Sequence, residues 1–232
     1  MEFQKIKLHR SEKNRAAVTQ ITLDDDYNVP DYRQDIVKVI KERGELRFDE
    51  VKAMEGAAWI KGSLVFKVLY RSDKQEGKIS CLRGEIPFQE RLNMDGLSEY
   101  DAVHATGDME DLTIGVINSR KLNVRAVIVL TASSEKEVDE ELTCELSDGS
   151  SYEQNIEKEA LKLLVVRRYI CRQKSEAVLP SSKPNIREIL WQSMQLRNVE
   201  SRLVEGKIRL SGEILVSILY NDEEEGEHLS WY

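Results

Sequence analysis

No apolar run in the chain approaches the roughly 18 residues of a membrane-spanning helix, so membrane insertion is not expected. The opening, Met1-Glu2-Phe3-Gln4-Lys5-Ile6, is mixed polar and lacks the apolar centre of a signal peptide. Both absences lead us to expect a cytoplasmic protein. Cysteine is scarce: Cys81, Cys144 and Cys171 are odd in number and widely spaced. That pattern suits neither a disulfide framework nor a zinc knuckle, and free thiols are expected. Positive charge is also short, with 34 Lys+Arg against 42 Asp+Glu and a net charge of −8. This disfavours nucleic acid and anionic membrane as partners. The three histidines, His9, His104 and His228, lie far apart with no ligand at metal spacing. Neither a nucleophile elbow, a P-loop nor a G-x-G-x-x-G fingerprint occurs. With 42 acidic residues, no one carboxylate pair stands out as a glycosidase dyad. We therefore expect no enzyme, no cofactor and no metal.

What the chain does have is a repeat. Residues 55–70 (EGAAWIKGSLVFKVLY) return as 205–220 (EGKIRLSGEILVSILY), with Gly56/Gly206, Gly62/Gly212 and Tyr70/Tyr220 each 150 positions apart. In both copies apolar residues alternate, at Ile60/Leu210, Leu64/Ile214, Phe66/Val216 and Val68/Ile218, the period of a strand with one buried face. The acidic-Gly pair before each strand reads as a hairpin turn needing positive φ. Gly62 and Gly212, mid-strand, suggest a bulge or bend. Pro30 and Pro180 also match at this offset, so the repeat-defining residues are Pro30, Gly56, Gly62, Tyr70, Pro180, Gly206, Gly212 and Tyr220.

Residues 16–23 read as a strand, and Asp24, Asp25 and Asp26 as a solvated turn. Residues 31–40 read as a short helix: Asp31 is the N-cap, and Ile36, Val39 and Ile40 fall on one face. The second copy, 181–190, has Ser181 as cap and Ile186, Ile189 and Leu190 on the same face. Strands follow at 78–88, with Pro87 marking an edge, and at 112–117 and 122–130. The acidic, serine-rich stretch 133–154 is the expected boundary, with a further strand left open at Val138 to Leu146. At 232 residues and 41% hydrophobic, the chain is expected to be mainly β. It divides into two tandem β-rich units, sandwich or barrel-like, each with one short helix: residues 1–150 and 151–232. By the offset, residue 232 corresponds to residue 82, so the second unit is expected to be incomplete. An unpaired sheet edge there would recruit a borrowed strand or a second copy, making a homo-oligomer. Arg168, Arg172 and Lys174 would share one face of a strand, either a dock for an acidic partner or a solvated face.

Several strings together resemble the SPOCS domain: Val29-Pro30-Asp31 with Asp35-Ile36, the 55–70 hairpin, Gly84-Glu85-Ile86-Pro87-Phe88, Asn118-Ser119-Arg120-Lys121-Leu122, and the second copy at 179–186. That family of spore-coat morphogenetic proteins was formerly a domain of unknown function. The resemblance implies a non-enzymatic scaffold for protein–protein contact in sporulation and spore coat assembly, with other coat morphogenetic proteins as partners. It also implies a place on the mother-cell side of the forespore surface. A C-terminal LysM module, present in family members, is not found in this sequence. The rival reading is a carbohydrate- or peptidoglycan-binding module, with Trp59, Trp191 and Trp231 as stacking residues.

Overall fold

The structure, a computed structural model, describes residues 3–72, 78–146, 170–222 and 229–231. Among these residues, alternating apolar positions and glycine-bearing turns produce nine antiparallel strands. These are β1 (Phe3–Asn28), β2 (Ile36–Met54), β3 (Ala57–Ser72), β4 (Ile79–Asn93), β5 (Ala102–Asn118), β6 (Lys121–Leu146), β7 (Ile186–Val204), β8 (Lys207–Asp222) and β9 (Leu229–Trp231). They form three sheets with strand orders β1-β6-β5, β2-β3-β4 and β7-β8-β9.

The first two sheets face each other as a sandwich. Ile60, Leu64, Phe66 and Val68 of β3 pack with Leu122, Val124, Ile128 and Leu130 of β6 in one core. Burial of such side chains stabilises a fold by about 1.5–3 kcal/mol each. Along one side β2 and β5 pack closely at two glycines. A Cβ on Gly44 would sit 2.6 Å from the Met109 side chain, and one on Gly107 2.7 Å from Leu46. Pro87 lies on β4, an edge strand, where proline is tolerated in a sheet.

The helices expected at 31–40 and 181–190 are absent. Each proline opens a turn instead, in which the amide of Arg33 donates to the Pro30 carbonyl (2.9 Å) and that of Lys183 to Pro180 (2.9 Å). The strands then start at Ile36 and Ile186. The helical spacing is produced by β-bulges. The register slips between Ile36 and Lys38 and again between Val39 and Lys41, and between Ile186 and Glu188 and between Ile189 and Trp191 in the second copy. One extra residue puts i and i+3 on the same face of a strand, which imitates a helix's period.

Asp24, Asp25 and Asp26 are likewise strand rather than turn, paired with Arg125, Val124 and Asn123 of β6. The stretch read as a boundary at 133–154 is strand as far as Leu146, joined to the N-terminal part of β1. There, cross-strand charges replace apolar packing: Lys5 meets Glu141 (3.1 Å), His9 meets Asp139 (2.6 Å) and Arg10 meets Glu140 (2.6 Å).

All six strands of the sandwich lie within residues 1–150 and all three strands of the third sheet within 151–232. The third sheet touches the sandwich through a small cluster of Leu69, Leu190 and Trp191, with Ile79, Cys81 and Leu219 around it. The Lys41 ammonium lies 5.3 Å over the Trp191 ring, a cation–π contact. Lys41 and Trp191, like Leu69 and Leu219, are equivalent positions of the two copies.

Candidate functional site: an uncovered sheet face

The two copies of the hairpin are built alike. Gly56 (φ 69°) and Gly206 (φ 74°) take left-handed turn conformations between their strands, and Glu205 (φ 49°) joins Gly206 in the second turn. Opposite Gly62 the register of β2 slips between Phe48 and Glu50, and opposite Gly212 that of β7 slips between Arg197 and Glu200. A Cβ on Gly62 would lie 2.4 Å from the Arg47 carbonyl oxygen, whereas one on Gly212 would lie 3.3 Å from that of Arg197. The Tyr70 hydroxyl donates to the Gln34 carbonyl (3.2 Å), and the Tyr220 hydroxyl to that of Pro184 (3.1 Å). Burial raises the Tyr70 phenol above its ordinary pKa. All eight repeat-defining residues thus sit at turns, bulges and strand ends that shape the sheets.

Sequence reasoning missed the closure of the first unit. Arg120, in the β5–β6 turn, spans the loop between β1 and β2. Its guanidinium donates to the carbonyls of Arg33 (2.7 Å), Pro30 (2.9 Å) and Val29 (3.1 Å), and to Asp35 (3.2 Å) and Asp31 (3.4 Å). The backbone adds Val29 N–H to the Arg120 carbonyl and Ile36 N–H to that of Ser119. One planar fork satisfying several acceptors suits arginine and not lysine. The pointer in the sequence was the pair Asp31 and Asp35 flanking a turn, with one arginine in a later turn.

The second copy differs in what lies over it. Leu64 and Phe66 are fully buried, yet their counterparts Ile214 and Val216 are 56% and 46% exposed. Met194, Leu196, Leu203, Ile208 and Leu210 are exposed as well. Among the described residues no strand covers this face. A groove of about 710 Å³ between the stretch before β7 and residues 214–218 of β8 is lined by Ala177, Leu179, Ile186, Ile214, Val216 and Ile218 among others. β9 pairs only with Leu219, Tyr220 and Asn221, so along 207–218 β8 has no neighbour on that side among the described residues.

The other candidate residues do not converge. Arg172 and Lys174 are exposed and lie outside any strand, so the alternation that placed them on one face does not apply, and Arg168 lies outside the described residues. Trp191 is buried between the third sheet and the sandwich, while Trp59 sits near the Gly56 turn, paired with Lys52 and Arg91. Trp231 pairs with Leu219. Among the described residues no group of three or more His, Cys, Asp or Glu could hold a metal. Burial pushes the Cys81 thiol up, which keeps it protonated and a poor nucleophile. No helix among the described residues is long and apolar enough to cross a membrane.

Residues 35–117 match the family model described as SipL, SPOCS domain. The SPOCS match runs from the end of the β1–β2 loop through the β2-β3-β4 sheet to the last residues of β5. It therefore covers the first copy of the repeat and stops just short of Arg120. No curated protein matches the chain, and no solved structure does.

Proposed function

We propose that this chain is a structural interaction module that acts as a protein–protein scaffold in spore coat assembly. The observation that carries the reading is the SPOCS match over residues 35–117, a domain that points to sporulation and protein interaction. The exposed apolar face of the third sheet supports it, because such a surface is of use to a protein that assembles with others. Its partners are coat morphogenetic proteins, or a second copy engaging the bare 207–218 edge, and its place is the mother-cell side of the forespore surface. The work it does is adhesion, without catalysis, cofactor or nucleic acid. The test is a fluorescent fusion expressed in a sporulating cell. The reading predicts a ring around the forespore that collapses when coat morphogenetic proteins are deleted. Fluorescence spread evenly through the mother cell would contradict it.

A further inference from the structure

In the first unit the face formed by Leu64, Phe66 and their neighbours is covered by the β5–β6 hairpin and β1. The third sheet repeats that face in the same register. Leu46 opposes Leu64 and Gly44 opposes Phe66 in the first unit, while Leu196 opposes Ile214 and Met194 opposes Val216 in the second. Where the residues differ, they differ in a compensating way. The Gly44–Phe66 pair has become Met194–Val216, a larger side chain facing a smaller one, so the face remains continuous and apolar. The room that Gly44 leaves is filled by Met109 of β5, and in the second copy a methionine, Met194, stands at the position of Gly44 itself. The adjoining loop has changed in charge. Asp31, Arg33 and Asp35 around the Arg120 guanidinium correspond to Ser181, Lys183 and Asn185, so both carboxylates are gone and one cation stays.

We propose that the apolar face of the third sheet is the docking site for a β-hairpin of the β5–β6 kind. Its inner face alternates apolar residues, with a small residue where β5 carries Met109. Its turn is neutral or acidic where β5–β6 carries Arg120. Sheet packing demands a partner whose apolar side chains interdigitate at about 10 Å. Methionine facing Met194 would be overpacked, and an arginine tip would find neither of the two aspartates that hold it in the first unit. The inference rests on the internal repeat alone, so it stands or falls separately from the role in the spore coat.

The probe is a synthetic hairpin of residues 102–132, closed by a cross-strand disulfide, added to the full 232-residue chain. The readouts are displacement of an apolar dye and hydrogen exchange over residues 194–216. The Met109→Ala, Arg120→Glu hairpin is expected to bind about tenfold or more tightly than the unaltered one. Both substitutions run against the first unit's own packing, so a merely sticky surface would not reward them. Ile214→Lys in the chain, a change at an exposed position, is expected to abolish binding. As a second reading, the altered hairpin joined after Tyr232 by a glycine-serine linker should suppress dye binding where the unaltered one does so less. Equal affinity of the two hairpins, binding that survives Ile214→Lys, or a face occupied by a second copy of the chain that neither hairpin displaces would overturn the proposal.

Discussion

Phe66 and Val216 hold the same place in two copies of one hairpin, with the same turn glycine behind them and the same bulge beside them. Phe66 is wholly buried and Val216 is nearly half exposed. The hairpin alone therefore does not make a core. What separates the two units, among the described residues, is the second layer, β1, β5 and β6, together with Arg120, which fixes that layer to the β1–β2 loop. A sheet with one apolar face keeps its register by its own ladder and turn, but gains its burial energy only when something lies over it.

Two paired substitutions and two single ones sharpen the comparison. Phe66→Ala should cost about 3–5 kcal/mol, whereas Val216→Ala should cost about 0.5 kcal/mol or less, because little is buried to lose. Denaturant melts of the two variants decide this, and similar losses would mean that the faces are equally covered. Arg120→Ala should cost about 1.5–3 kcal/mol by removing charge-assisted hydrogen bonds from the β1–β2 loop. Hydrogen exchange at Val29 and Ile36, whose amides bond to the Arg120 and Ser119 carbonyls, should rise with it while exchange at Ile186 stays unchanged. Gly62→Ala should cost about 1–3 kcal/mol, since its Cβ would meet a backbone oxygen. Gly212→Ala, whose Cβ would lie 3.3 Å from the matching oxygen against 2.4 Å for Gly62, should cost less than half as much in the same melt.

The smallest effect concerns pH. Tyr70→Phe loses the bond to the Gln34 carbonyl and should cost about 1 kcal/mol at neutral pH. Burial raises the folded pKa of Tyr70, so the folded state holds this proton more tightly than the unfolded one. The stability that Tyr70 contributes is therefore full below the unfolded phenol's pKa of about 10 and is lost as pH rises through the raised folded value. Melts of the two proteins should accordingly converge above pH 10. A gap that widened with pH would contradict the assignment.

The hairpin was legible in the sequence because its signals are local. Alternating Ile60, Leu64, Phe66 and Val68, a turn glycine and a second copy 150 residues on need no knowledge of the rest of the chain. The stretch at 31–40 was misread for an equally local reason: a one-residue bulge gave Ile36 and Val39 the spacing of a helix, and only the partner strand reveals the slip. The pairing of β1 with β6 was hidden by distance. Phe3 meets Leu146, and the short alternations there, Ile6 with Leu8 and Leu142 with Leu146, stand among charges and do not name each other as partners. Arg120 was hidden for the same reason, since its acceptors lie some 90 residues away. Most of the site lay in an absence. The uncovered face has the same sequence pattern as a covered one, so its apolar positions read as core until the neighbouring strands are in place.

Residue-resolved hydrogen exchange across β3 and β8 tests most directly whether one copy is closed and the other open. Amides at Leu64, Phe66 and Val68 should exchange only by global unfolding of the sandwich, and those at Ile214, Val216 and Ile218 orders of magnitude faster by local opening of an uncovered sheet. Equal protection at these matched positions would contradict the account.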